Sequence, residues 1–415
     1  IWLGIDKMVK KVLKIMLGNG SAQGLQLLFI PILTNHYSPI EFGELAQVIA
    51  YSSVLCIFLS LQLNVAIVAT DKEDDIESIF GGYTLVSILG VVCFFLVSIF
   101  TFIFASNETW MFVNQFFLLA ILMSANNFFR GVAIAREKYN LVSSCALFRV
   151  LALISSQLVL ISNDEINGLI YGLIVGETIL AISLMFENIK YGKNYSILNL
   201  KFHRLNLKEI WSNRQYTLFG SLQEATSTLI YWLPMMGIVY YFGDYYGGQY
   251  SVVSRIYWPL VVLISSAIAQ VLLRDLSRFS PHDNKLTSGG VYSHAVKILF
   301  FPLLFFGYVL SPLVFDVLFG YEWKEAVVYS KYISILCIMF LYVVPYRVLY
   351  RVKKKQSYLL IIELTYLLVF YVTVSLLSLK EPQDFLIFIV SLYALKVIFV
   401  ECFIRKMVNN DFIER

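Results

Sequence analysis

The sequence predicts an all-helical integral membrane protein, with twelve spans in two six-helix lobes and both termini in the cytoplasm. Three observations carry this expectation: composition, the length of the apolar runs, and the side on which basic residues gather. Mean hydropathy is +0.73 and only 14% of residues are charged, whereas a soluble domain carries about 25%. A spanning helix needs about 20 apolar residues. Runs of that length lie at roughly 12–34, 45–69, 79–104, 111–134, 141–162, 167–187, 216–242, 249–273, 292–318, 327–349, 358–379 and 384–406. Of the 32 Lys and Arg residues, 27 fall on one side, at the start of the chain, in every second gap or at the run ends beside it (Arg347–Lys355 among them), and from Lys396 onward. Only Lys324, Lys331 and Lys380 fall on the other side, and Arg149 and Arg255 lie inside runs. Cytoplasmic loops collect basic residues, so this bias orients the chain. The first run is too long, and lacks the small-residue cleavage site, of a removable signal peptide.

The net charge of +4 is therefore a topology signal and a contact for anionic lipid; no nucleic-acid partner is expected. Five cysteines are scattered through apolar segments without CxxC spacing, and read as small buried hydrophobes, neither a disulfide frame nor a metal site.

The longest gap is basic and lies at the middle of the chain. It divides the chain into an N-terminal lobe (1–190), a basic cytoplasmic linker (191–214) and a C-terminal lobe (215–415). Pro31 and Pro234 each interrupt the outer part of the first helix of a lobe. Each is followed by an aromatic, glycine-containing turn, Tyr37–Gly43 and Tyr240–Gly248. Two such halves are a parallel repeat, of the kind that carries substrate between its members.

Polar residues inside spans are costly and face a cavity or a partner. Arg149 lies about two turns into the fifth run, among the small residues Cys145, Ala146, Ala152 and Ser156. Its plain alternative is an ion pair with Glu177 that locks two helices. Arg255 lies about two turns into the eighth run, and Arg130 ends the fourth beside Asn126 and Asn127. Guanidinium groups at several depths suit a phosphate-type anion, which they bind through paired hydrogen bonds. For Arg130 the plain alternative is a positive-inside anchor.

On the seventh helix Glu224 shares a face with Thr217, Gly220, Ser221, Ser227, Thr228 and Tyr231. Such a polar stripe lines a wet cavity, and a carboxylate there is a candidate proton carrier. Asn19, Gln23 and Gln26 repeat the pattern on the first helix. Glu177, the second candidate for proton coupling, stands beside Gly168, Gly172 and Gly176, a ridge of small residues that brings helices close. Glu363 reads equally well as an interface residue. No P-loop, HExxH, Cys/His cluster or nucleophile elbow is present, so no ATP hydrolysis by a P-loop is expected. The expectation is a protein without catalytic residues, cofactor or metal, coupled to a proton or sodium gradient.

The chain resembles the Wzx-type polysaccharide flippases, in the superfamily that also holds the MATE drug exporters and the lipid II flippases. The resemblance rests on the basic start before Gln23 and Pro31–Thr34, the turn Tyr37–Gly43, and Gly248–Arg255 running on to Leu273–Ser277. It implies a V-shaped pair of lobes around a cationic central cavity in a bacterial inner membrane. It further implies passage of an undecaprenyl-pyrophosphate-linked oligosaccharide to the periplasmic leaflet for O-antigen or capsule assembly, alongside other assembly proteins. Arg149 and Arg255, with Arg130, are then expected on the diphosphate. Two alternatives stand beside this: a MATE-like cation antiporter, which suits Glu224 but not two intramembrane arginines, and a membrane polymerase or glycosyltransferase, whose long outer loop is missing.

Overall fold

In a computed structural model of the chain, the described residues are 18, 20–68, 73–162, 166–191, 215–278, 302–352, 356–377 and 380–413. Residues 192–214 of the expected linker, 292–301 of the ninth run and Asn19 lie outside them. All regular structure among the described residues is helical. The main helices are α1 (20–34), α2 (Pro39–Ser60), α3 (Leu63–Val68), α4 (Glu73–Phe104), α5 (Asn107–Ala135), α6 (Tyr139–Val159) and α7 (Gly168–Tyr191), followed by α8 (Ser221–Phe242), α9 (Asp244–Arg278), α10 (Ser311–Leu318), α11 (Lys324–Val352), α12 (Gln356–Leu376) and α13 (Pro382–Ile413).

Eight segments among the described residues are long and apolar enough to cross a membrane: Pro39–Ser60, Ile79–Phe104, Asn107–Ala135, Tyr139–Ser162, Gly168–Phe186, Tyr321–Tyr350, Ser357–Leu376 and Pro382–Phe403. Helices α8 and α9, of 22 and 35 residues, have the length as well. Helix α4 leaves Phe95, Phe100 and Phe104 exposed, as a helix facing hydrocarbon does.

Local chemistry accounts for the helix ends. Before α2, the Ser38 N–H and hydroxyl both donate to Glu41 Oε2 (2.8 and 3.0 Å), while Glu41 N–H donates back to the Ser38 hydroxyl at 3.4 Å. This is a capping box, with Pro39 in the first-turn position where no N–H is needed. Helix α8 stops at Gly243, whose φ of 93° lies where glycine alone is unstrained; its N–H donates to the Val239 carbonyl at 2.9 Å. The π-helical turn Phe306–Leu310 frees a backbone carbonyl at Gly307. The hydroxyls of Ser311 and Ser330 donate to it at 2.7 and 3.0 Å, as irregular backbone at membrane depth requires. The first turn of α11 is held from α9, where Gln249 Oε1 accepts from Ala326 N–H at 3.1 Å.

Two compact units emerge. Unit 1 comprises Ile1–Tyr37 and Glu44–Leu229, and unit 2 comprises Ser38–Gly43 and Ile230–Arg415. Unit 1 is centred on Leu63, Ile67, Tyr83, Phe128, Val132 and Leu184, with Tyr83 stacked on Phe128 at 3.8 Å. Within it, a Cβ at Gly176 would lie 2.9 Å from Leu153 Cβ and 3.1 Å from the Arg149 carbonyl, and one at Gly172 only 3.0 Å from Gln157 N. The small-residue ridge therefore presses α7 against the α6 backbone, which lets van der Waals packing hold helices where lipid removes the hydrophobic drive.

Unit 2 contains Ser38–Gly43 of the first aromatic turn and the whole of its counterpart Tyr240–Gly248, and these touch. A Cβ at Gly43 would strike the backbone of Asp244, 2.9 Å from its carbonyl carbon, and one at Gly248 would strike the Pro39 carbonyl and come within 3.1 Å of Gly43 N. Backbone cannot swing aside as a side chain does. Gly248→Val is therefore expected to lower the amount of folded protein, overpacking costing about 1–3 kcal/mol. A thermal unfolding curve in detergent checks this, and an unchanged midpoint would refute the close approach.

Candidate functional site

Unit 1 holds the first of two charged clusters. The α6–α7 contact places Arg149 against Glu177: Nε donates to Oε1 at 2.7 Å and Nη2 reaches the same oxygen at 2.6 Å. Asn126 of α5 completes the arrangement. Its Nδ2 donates to Glu177 Oε2 at 2.6 Å and to the Glu177 carbonyl at 3.0 Å. Both carboxylate oxygens of this buried acid thus have donors. Arg149 is thereby in the ion pair that was its plain alternative. Arg130 stands half-buried one turn beyond Asn126 on α5. Among the described residues no carboxylate pairs with Arg130, so this cluster carries two guanidinium groups and one acid.

The polar stripe of the seventh run has a consistent orientation. Thr217 and Ser221 are buried, and Gly220, Glu224, Ser227, Thr228 and Tyr231 are half-buried. On the other side Leu218, Phe219 and Leu222 are exposed at 47, 57 and 45%. Gln223 donates to the Ser227 hydroxyl at 3.0 Å, while the buried Ser221 hydroxyl has no partner among the described residues. On α1, Gln23 and Gln26 are half-buried, and the Gln23 carbonyl oxygen is buried and likewise unpartnered among the described residues.

Unit 2 holds Arg255, on α9. It is half-buried, its Nε is 3.4 Å from the Ser251 hydroxyl, and its guanidinium stands 5.8 Å from the centre of the Phe42 ring. No carboxylate pairs with it among the described residues. Phe42 in turn meets Trp323 edge-on at 5.4 Å, and elsewhere in the unit Tyr231 meets Trp258 at 4.7 Å. An uncompensated guanidinium set beside a ring can bind a phosphate-type anion through two parallel hydrogen bonds and offers a flat apolar face to whatever is attached to it.

A second cluster in unit 2 escaped sequence reasoning. Arg347 of α11 bonds to Glu363 of α12 (Nη2 to Oε1, 2.8 Å), and Lys396 Nζ of α13 lies 3.7 Å from the same oxygen. The Glu363 side chain is wholly buried and that of Lys396 is 3% exposed. Arg347 and Lys396, counted among the 27 basic residues of the cytoplasmic side, thus also meet at a buried acid. The signal that was there to read is spacing: Glu363 and Tyr366, and Tyr393 and Lys396, stand three apart on the last two runs, one helical neighbour each. Among the described residues no His, Cys, Asp and Glu side chains group in a way that would hold a metal ion.

A family described as "Polysaccharide biosynthesis protein" matches residues 8–280. Among solved structures the chain is similar to the inward-facing conformation of a multidrug resistance MATE family transporter of the MOP superfamily. The TM-score is 0.71 at 13% identity, over 95% of this chain and 98% of that one. It is also similar to a MOP superfamily transporter from Pyrococcus furiosus, noted for the reverse polarity of its binding pocket (TM-score 0.67, 15% identity, 97% and 95% covered), and to an outward-facing MATE family transporter (0.66, 14%, 97% and 96%). At such identities the likeness is one of fold. No curated protein matches the sequence.

Proposed function

Because the chain belongs to the polysaccharide biosynthesis protein family, we propose that it flips an undecaprenyl-pyrophosphate-linked oligosaccharide from the cytoplasmic to the periplasmic leaflet of a bacterial inner membrane, by alternating access. The family and the fold are of transporter type, and the protein is a multi-pass membrane protein. We further assign it twelve crossings with both termini in the cytoplasm. The runs at 12–34, 216–242, 249–273 and 292–318 add four to the eight apolar segments.

The observation that carries the reading is Arg255: a half-buried cation at membrane depth with no acid beside it among the described residues, but with an aromatic ring at hand. Such a charge is tolerated when a mobile anion supplies the balance. A sugar head cannot cross hydrocarbon unaided, because its hydroxyls would forfeit their hydrogen bonds to water. Its diphosphate is still harder to move, whereas the polyprenyl tail is at home in lipid. Arg255 and Arg130 are the residues we assign to the diphosphate, and the polar face of α8 to the sugar. Arg149 acts through Glu177, and Glu224 is the acid we assign to proton coupling.

Deleting the gene is expected to strip the cell surface of its glycan and to leave lipid-linked sugar on the cytoplasmic leaflet. Normal surface glycan without such accumulation would overturn the reading. In vesicles, transport is expected to respond to an imposed pH gradient, with the response lost in Glu224→Gln; indifference of the unmodified protein to that gradient would remove the role of Glu224.

A further inference from the structure

The environment of Lys396 is that of a ligand rather than of a surface lysine. Lysine on a membrane helix ordinarily extends its ammonium toward water, yet this side chain, midway along α13, is 3% exposed. Its Nζ stands 5.1 Å from the centre of the Tyr393 ring and 5.5 Å from that of Tyr366. The two rings are set at 77° to one another, 6.2 Å apart, so they form two walls of a corner. Glu363 Oε1 closes the corner 3.7 Å from Nζ. Aromatic faces with a carboxylate are the chemistry by which proteins bind ammonium ions.

The register makes the corner. Helix α12 supplies Glu363 and Tyr366, three residues apart, and α13 supplies Tyr393 and Lys396, again three apart, so each pair projects from one helix face. Arg347 binds the same carboxylate oxygen at 2.8 Å from a third helix and fixes the floor. Nearby on the same helices, Tyr342 donates to Glu401 at 3.0 Å and Tyr346 to Tyr342 at 3.3 Å.

We propose that Tyr366, Tyr393 and Glu363 form an ammonium-binding site which the chain fills with its own Lys396, keeping free cations off Glu363. A tethered group outcompetes a free ion of the same type because its effective concentration is in the millimolar range or above. Sodium therefore finds no vacancy at this acid. The proposal does not rest on the transport reading, and its tests use purified protein without transport.

Lys396→Ala opens the corner by the length of a short alkylammonium ion. Propylammonium chloride is expected to raise the unfolding temperature of this variant by several degrees, saturably, at concentrations at least tenfold below any effect on the unmodified protein. Sodium chloride at equal ionic strength is expected to do less. Adding Glu363→Gln to the variant is expected to abolish the propylammonium effect. Equal effects on variant and unmodified protein, or none on a Lys396→Ala protein that elutes as a single folded species, would overturn the proposal.

Tyr393→Leu reads the same corner without removing the lysine. It is expected to make the Lys396 amine at least tenfold more reactive toward an amine-acylating reagent, measured by mass spectrometry of the labelled peptide. Unchanged labelling would overturn the proposal whether or not Lys396→Ala accumulates.

Discussion

Arg255→Ala is expected to abolish surface glycan while the amount of protein in the membrane stays unchanged. The two halves of this expectation have separate causes. Function is lost because a charge-assisted hydrogen bond contributes about 1.5–3 kcal/mol. Two of them in parallel, removed together, weaken anion binding by about 100-fold or more. Abundance is kept because Arg255 supports little else: a 3.4 Å contact to the Ser251 hydroxyl and a ring contact with Phe42. No buried acid among the described residues is stranded by its removal. Arg255→Lys keeps the charge but not the fork, so an intermediate glycan level is expected. Quantitative blotting of membranes beside glycan staining checks both halves, and full glycan in Arg255→Ala would remove the arginine from the diphosphate site.

Much of the architecture was legible because membrane helices announce themselves one run at a time. The apolar stretches, the Ser38–Glu41 capping box and the Gly168, Gly172 and Gly176 ridge are all local patterns, and each depends on residues within two or three turns. The orientation of α8 was legible for the same reason, since a stripe at helical spacing must turn together. What was not legible depends on which helices meet and at what height. Lys396 sits ten residues from the end of its run and was grouped with the cytoplasmic basic residues. Only the contact with α12, 33 residues earlier at Glu363, turns it inward. Arg149 could be read as a ligand for substrate or as a partner for Glu177, and the sequence allows both. The glycine ridge brings the α6 and α7 backbones together, so that a side chain two turns into one helix meets the acid of the next.

The second large effect follows from that pair. Removing one partner of a buried ion pair costs about 3–5 kcal/mol, because the other is left uncompensated, and total stability is only about 5–15 kcal/mol. Arg149→Ala leaves the Glu177 carboxylate, 8% exposed, with Asn126 as its donor at 2.6 Å. Glu177→Ala leaves Arg149 without its acid, with Arg130 one turn from Asn126 as a second guanidinium. Both variants are expected to reduce the folded protein recovered in detergent, and Glu177→Ala more severely, since it strands two like charges where Arg149→Ala strands one acid that keeps a hydrogen bond. Arg149→Met combined with Glu177→Leu removes both charges and fills the space, so most of the folded protein is expected to return. The measurement is the monodisperse peak on size-exclusion chromatography together with the unfolding midpoint. A double variant no more stable than either single one would show that the pair is not what holds α6 to α7. If the double variant returns to full abundance and still carries glycan to the surface, Arg149 is a helix clamp. The positive charge that the cluster offers to an anion is then that of Arg130, the one guanidinium Glu177 does not neutralise.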